Sequence, residues 1–307
     1  MNLKNKILLF AGSAHPELAK KVAKILKMKL GKISIARFAD GEIDIWLQEK
    51  VFTKDVFIIQ PTNLPVNENI LELCLIADSL RRSGAHSITG IVPYFGYSRK
   101  DKQFRFGEPI SSKVIIDILV ASGLDRIVAF DLHNRSLVGF THMPFFELSA
   151  LKIFAQKIKQ EKLLNLQIFS PDTGGLKRAR DFARILNLPL GFIEKQRNLS
   201  KRDQSEILTL TGDVKNKNII LLDDIISTGG TLINAAQYLK KLGAKKVYAC
   251  ATHALFDLES AQKLQDSEIN KLFVTNTIAI PENLKFPKLR ILPIESEIVK
   301  YIKNIYN

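Results

Sequence analysis

Sulfur is scarce in this chain: 307 residues hold two cysteines and three methionines. Both cysteines, Cys74 and Cys250, fall within apolar segments, so they read as core packing in a reducing compartment. The cytoplasm is the expected location. Long hydrophobic runs are missing as well, none approaching the ~18 residues that a membrane span requires. The opening "MNLKNKILLFAGSAHP" has the outline of a short signal peptide, with lysines, an apolar stretch and small residues. Its pattern continues without a break into a helix, which favours a first buried strand, Ile7 to Phe10, followed by a turn. No helix-turn-helix, zinc or RNA-binding signature is present. Neither nucleic acid nor membrane is an expected partner.

Acidic residues are the minority charge, 31 against 45 basic ones, for a net charge of +14 and a pI near 9.6. Such a balance favours anionic ligands, among them phosphorylated metabolites. Stretches such as "KKVAKILKMK" fit a solvated lysine-rich surface equally well, so charge alone decides nothing. The 46% apolar and 25% charged content is that of a globular protein. The length suits two ordinary domains with real cores.

The chain repeats itself. "LAKKVAKILKMKLGKI" (18 to 33) lies over "RARDFARILNLPLGFI" (178 to 193) at a shift of 160, with seven of sixteen positions identical. Average residue usage predicts roughly one identity by chance. "IADSLRRSGAHSI" and "AAQYLKKLGAKKV" align at a shift of 159. Two blocks at nearly one shift imply two copies of a domain. Within each copy, short apolar runs alternate with amphipathic helices. "VFIIQ", "ITGIV", "RIVAF", "QIFS", "NIILL", "KVYACA" and "KLFVT" read as buried parallel strands. A helix is expected from Asn67, as N-cap, to Ser83, with Gly84 just past its end. The pattern is that of an α/β fold with a mainly parallel sheet flanked by helices in each copy.

Ligands of such sheets bind where strand ends meet helix starts. "LLDDIISTGGT" (221 to 231) stands at such a place. Gly229 and Gly230 permit close backbone approach, while Ser227, Thr228 and Thr231 place hydroxyls beside free N–H groups. Together they make a phosphate seat at a helix N-terminus. Asp223 and Asp224 are then placed to hold what that phosphate carries, and ribose hydroxyls suit them.

"IILLDDIISTGGT" resembles the signature of type I phosphoribosyltransferases. "RFADGE" (37 to 42), "PYFGYSRKDK" (93 to 102), "FDLH" (130 to 133), "SPDTGGLKRAR" (170 to 180) and "EKQR" (194 to 197) follow in order, and with them the chain resembles the ribose-phosphate pyrophosphokinase family from end to end. That resemblance implies two tandem phosphoribosyltransferase-like domains, residues 1–148 on the ATP side and 149–307 with the ribose 5-phosphate site, the last helix packing back on the first. The implied reaction moves the β,γ-pyrophosphoryl group of Mg-ATP to the C1 hydroxyl of ribose 5-phosphate, releasing AMP, in service of nucleotide biosynthesis. Residue by residue, the resemblance puts Phe38, Asp40, Glu42, Arg99, Lys100 and Asp101 on ATP. It puts Asp223, Asp224, Ser227, Thr228, Gly229, Gly230 and Thr231 on ribose 5-phosphate, and His133 with Asp172 on Mg2+. Lys195, Arg197 and Arg99 face the transferring group, and a homo-oligomer, at least a dimer, is implied. The chain departs from the commonest pattern at Ser227, where an aspartate is usual, and at Lys100, where a glutamine is. A phosphoribosyltransferase or a non-catalytic homologue are the competing readings. The first needs neither the duplication nor "RFADGE", and the second does not need the basic stretch and Lys195 together.

Overall fold

The computed structural model describes residues 6–197 and 205–306, the side chains of 195–197 and 205–208 excepted. Two compact units make up the chain. One comprises Met1–Ser149, Thr277–Ala279 and Pro293–Asn307; the other comprises Ala150–Asn276 and Ile280–Leu292.

The first unit begins with β1 (Ile7–Ala11) and α1 (Pro16–Leu26), followed by the antiparallel hairpin of β2 (Ile33–Arg37) and β3 (Ile43–Leu47). β4 (Asp55–Ile59), α2 (Val66–Arg82), β5 (Ser87–Ile91), α3 (Ser111–Ala121), β6 (Arg126–Phe130) and β7 (Phe145–Leu148) complete the core. The five-stranded sheet has the order β1-β4-β5-β6-β7, and every pair in it is parallel. β4 and β5 are buried at every residue, as continuous apolar runs in the middle of a parallel sheet should be.

In the second unit, α4 (Leu151–Gln160), β8 (Leu166–Ser170), α5 (Leu176–Leu186), β9 (Leu190–Arg197) and β10 (Ser205–Thr211) come first. Then follow β11 (Asn218–Ile226), α6 (Gly230–Lys241), β12 (Lys246–Ala254), α7 (Leu258–Asp266), β13 (Ile269–Thr275) and β14 (Leu289–Leu292). Its seven strands run β10-β9-β8-β11-β12-β13-β14, parallel except for the β9–β10 hairpin. The final helix, α8 (Glu295–Asn304), belongs to the first unit, where Lys21 of α1 pairs with its buried Glu295 at 3.6 Å. Beyond α8, the Tyr306 hydroxyl donates to Asp55 at the start of β4, at 3.0 Å.

The repeat seen in the sequence is a repeat of geometry. α1 and α5 each end on a residue in the left-handed conformation, Lys27 (φ 55°) and Asn187 (φ 53°), whose N–H groups return to Ala23 and Ala183. Four residues beyond each cap stands a glycine, Gly31 or Gly191. A side chain there would meet the Phe10 ring at 2.4 Å in one unit and the Phe169 ring at 2.4 Å in the other. Each glycine is therefore the counterpart of a phenylalanine on the first strand of its own unit. Burying each such ring contributes about 1.5–3 kcal/mol.

α2 starts on Val66 with Pro65 before it, so Asn67 is not the cap. Its amide oxygen instead accepts a hydrogen bond from the Tyr97 hydroxyl at 2.6 Å. Proline at the boundary starts the helix by fixing φ, with no side-chain acceptor needed. Gly84 does end the helix, at φ 79°, with the Ala85 N–H returning to Leu80 at 3.1 Å. Both cysteines are buried and free, and burial raises both thiol pKa values, leaving them protonated and inert. No helix among the described residues is long and apolar enough to cross a membrane.

One buried cluster in the first unit is polar. Glu72 of α2 takes hydrogen bonds from the Ser13 N–H (2.7 Å), the Ser13 hydroxyl (2.5 Å) and the Gln60 amide (2.8 Å). Gln60 in turn accepts from the Ala14 N–H at 3.1 Å. The loops that follow β1 and β4 are thereby tied to the buried face of α2.

Gly191→Ala is expected to destabilise the second unit, because its new methyl would also stand 2.6 Å from the Thr211 carbonyl oxygen, which cannot rotate away. Overpacking of this kind costs about 1–3 kcal/mol, or roughly 3–10 °C in the unfolding midpoint. Gly139→Ala, with no atom within 4 Å of the added carbon, should stay within about 2 °C of wild type in the same thermal melt.

Candidate functional site

In the second unit, β11 lies between β8 and β12 and delivers Asp223 and Asp224 to its C-terminal end. Alternation sends successive side chains to opposite faces of the strand, so the two acids cannot share one environment. Asp224 is buried and pairs with Arg178 of α5 at 2.9 Å, both side chains being largely enclosed. Asp223 accepts the N–H of Asp224 at 2.9 Å. Its carboxyl pKa is pushed well above the ordinary range by burial, then by the neighbouring Asp224, with a smaller contribution from Asp172.

Asp172 comes from the loop between β8 and α5. Its carboxylate accepts the Gly175 N–H at 3.0 Å and its carbonyl oxygen accepts the Ser170 hydroxyl at 2.6 Å. Gly175 is needed there, since a β-carbon would lie 2.9 Å from the Ser170 hydroxyl. Arg178 was not singled out from the sequence, although a signal existed. Lys177 and Arg178 stand in the first turn of α5, where the helix dipole disfavours cations and no acid accompanies them.

The segment after β11 turns sharply into α6. Gly229 is its N-cap at φ 75°, and the Thr228 hydroxyl accepts the Gly230 N–H at 3.5 Å. Residues 225–232 and Asp223 enclose a cradle of about 50 Å³. Ser227, Thr228, Gly229, Gly230 and Thr231 all line it, leading into the first turn of a twelve-residue helix. N–H groups without intrahelical partners point into such a space, and the positive end of the helix dipole favours an anion there.

In the first unit, Phe38, Asp40 and Glu42 sit on the turn of the β2–β3 hairpin, all exposed. The turn is closed by Phe38 N–H to Glu42 O at 2.9 Å and by Glu42 N–H to the Asp40 carboxylate at 3.1 Å. Gly41 at φ 94° makes this possible. Arg37 donates to the Gly41 carbonyl at 3.1 Å and pairs with Glu68 in the first turn of α2. Tyr97, just before Arg99, is bonded to Asn67 in the same turn. The start of α2 thus gathers the aromatic hairpin tip and the root of the basic stretch. Arg99 and Lys100 are exposed, and the Lys100 ammonium lies 5.5 Å from the centre of the Phe104 ring.

His133 is exposed on the turn after β6. Glu147 of β7 accepts the Leu132 N–H at 2.9 Å and pairs with Arg135 at 2.5 Å, bracketing that histidine. Lys195 and Arg197 stand on β9, their backbones paired with Ile207 and Ser205 of β10. The side chains of both lie outside the described residues. Among the described residues no three histidine, cysteine or carboxylate groups stand close enough to hold an ion alone.

Two family profiles match this chain. One, described as the N-terminal domain of ribose phosphate pyrophosphokinase, spans residues 7–123, and the other, a phosphoribosyl synthetase-associated domain, spans 194–307. The ribose-phosphate pyrophosphokinase of Fusobacterium nucleatum is 40% identical over 305 residues, covering 99% of this chain and 96% of its own. That of Buchnera aphidicola is 41% identical over 302 residues, covering 97% and 95%. Among solved structures, a phosphoribosylpyrophosphate synthetase from Mycobacterium smegmatis matches with a TM-score of 0.92 at 36% identity, covering 98% of this chain and 99% of that one.

Asp223 yields a stability test. A carboxyl whose pKa is raised on folding stabilises the fold below the ordinary carboxylate range, and that stability is lost as pH rises through the folded value. In ligand-free protein at about pH 8, Asp223→Asn should raise the unfolding midpoint by a few degrees, and the gap should close as the buffer is taken toward about pH 4. A variant melting at or below wild type across this range would show that Asp223 carries no such strain.

Proposed function

This chain belongs to the ribose-phosphate pyrophosphokinase family and forms phosphoribosyl pyrophosphate; we propose that it does so by transferring the β,γ-pyrophosphoryl group of Mg-ATP to the C1 hydroxyl of ribose 5-phosphate. The observation that carries this reading is the pair Asp223–Asp224 set directly before a glycine cradle at the start of α6. The cradle suits the 5-phosphate, held by residues 227–231. The carboxylates suit the ribose hydroxyls, with Asp224 aimed by Arg178.

On the nucleotide side, Phe38 offers an exposed ring to an adenine face, and Asp40 and Glu42 offer acceptors to its polar edge. Arg99 and Lys100 take the phosphates, with Asp101 beside them on the ATP side. Arg99, Lys195 and Arg197 face the charge that develops on the transferring group. In such a reaction the protein's work is positioning and charge stabilisation. Oxygen donors on Asp172, close enough to raise the Asp223 carboxyl, fit a hard divalent cation, and sparse protein ligation is normal for magnesium. His133 and Asp172 would hold that ion, which neutralises and orients the ATP phosphates when bound. Active protein is a homo-oligomer, at least a dimer, in the cytoplasm, where its two buried thiols stay reduced.

Incubation of the protein with ribose 5-phosphate and Mg-ATP should yield AMP. ADP as product would point to simple kinase chemistry, and no nucleotide product to a non-catalytic role. Lys195→Ala should lower kcat by about 10²–10³ with little change in the KM for ribose 5-phosphate, the usual result of losing one preorganised stabiliser. Asp224→Asn should instead raise that KM, because its partner is a hydroxyl already present in the ground state. Near wild-type turnover in a folded Lys195→Ala protein would remove Lys195 from the mechanism.

A further inference from the structure

We propose that Asn134 is a positioning residue that fastens the basic stretch 99–109 to the turn carrying His133. The inference rests on the functional reading above, which assigns both segments to the nucleotide side. Its physical basis is one amide used at both ends. The Asn134 Oδ1 accepts the Ser136 N–H at 3.0 Å, capping the short 3-10 helix Arg135–Phe140. Its Nδ2 donates to the Asp101 carboxylate at 2.5 Å.

The turn is a rigid post. Asp131 is held in the left-handed region at φ 32°, a conformation that persists only where surrounding bonds impose it. Those bonds are present: the Asp131 N–H goes to the Leu148 carbonyl at 2.9 Å, the Leu132 N–H to Glu147, and the Arg135 guanidinium to the other Glu147 oxygen. Of residues 131–135, Asp131, Leu132 and Arg135 are therefore fixed to β7 and Asn134 to the basic stretch.

That stretch is otherwise attached lightly. At its root, the Lys100 carbonyl accepts both the N–H and the hydroxyl of Ser112, at 3.1 and 2.9 Å. Its tip closes on itself. The Gln103 amide donates to the Glu108 carbonyl at 2.7 Å, the Phe104 N–H donates to the Glu108 carboxylate at 3.2 Å, and Lys100 and Lys102 both approach the Phe104 ring. Among the described residues, the hydrogen bonds of 102–109 stay within the tip. Asp101, between the self-contained tip and the root, is the point at which Asn134 takes hold. A charge-assisted bond from a neutral amide anchors the Asp101 side chain there without adding a cation to the turn.

Side-chain chemistry separates this role from a purely structural one. Asn134→Ser keeps a good capping residue but is too short to reach Asp101. The expected outcome is an unfolding midpoint near wild type together with tryptic cleavage after Lys102 and Arg105 about tenfold faster in ligand-free protein, as local opening becomes easier. The KM for ATP should rise by a similar factor while that for ribose 5-phosphate stays put. The exchanged pair, Asn134→Asp with Asp101→Asn, re-forms an amide–carboxylate bond with the donor on the other side, and should restore resistance to trypsin. Wild-type cleavage rates in Asn134→Ser, or no recovery in the exchanged pair, would overturn the proposal. Absence of AMP formation by the wild-type protein would defeat the functional reading alone, because the cleavage comparison needs no turnover.

Discussion

Two adjacent carboxylates brought into an enclosed position at the end of β11 set the electrostatics of the second unit's candidate site. Asp224 is enclosed, and its charge is balanced within the unit by Arg178. Deleting one partner of such a pair typically costs about 3–5 kcal/mol, since the other is left charged and dry. Asp223, largely enclosed and with Asp224 and Asp172 nearby, holds its proton more tightly than a free carboxyl. The glycine turn before α6 and Asp172 of the loop 170–175 lie beside this carboxyl. A site under such tension is stabilised by whatever brings it cations or hydroxyl donors, which is the usual exchange of stability for function.

The nucleotide side follows a different logic. Its candidate residues, Asp101 apart, are exposed and lie on a hairpin tip and a basic stretch, joined to the body through a few side chains. Glu68 and Asn67 at the start of α2, Ser112 on α3 and Asn134 beside His133 supply those joints. Precise placement of mobile cations needs such joints, because long basic side chains lose much rotamer freedom when they are ordered.

Parallel strands, the duplication, the stop at Gly84 and the burial of both cysteines were legible because each depends on local pattern. Apolar runs of four to six residues can only be interior strands in an alternating chain, and a glycine after a basic helix end has a conformational reason. The glycine turn into α6 was legible for the same reason, as a contiguous string. What escaped depends on partners distant in sequence. Asn67 looked like a cap, yet serves Tyr97 thirty residues away. Arg178, Glu147 and Asn134 acquire their roles only from Asp224, the Leu132 turn and Asp101. Asp40-Gly41 does mark the turn of the β2–β3 hairpin, although the strands that flank it were not among the apolar runs read as strands. Glycines 31 and 191 were visible as matched positions, but the phenylalanine rings that require them were not.

The buried Glu72 cluster has a consequence for how duplicated molecules divide labour. At the 159-residue shift that relates α2 to α6, Glu72 occupies the register of Thr231 in the cradle. α2 begins earlier than α6 relative to that register, so a helical turn stands where the second unit has its glycines. The N–H, hydroxyl and amide donors of Ser13 and Gln60 are met there by the chain's own carboxylate. The first half thus meets these donors with its own carboxylate. On the proposed reading, a protein built from two like halves therefore titrates with a single sugar phosphate per chain, the matching seat of the first half being closed by its own side chain.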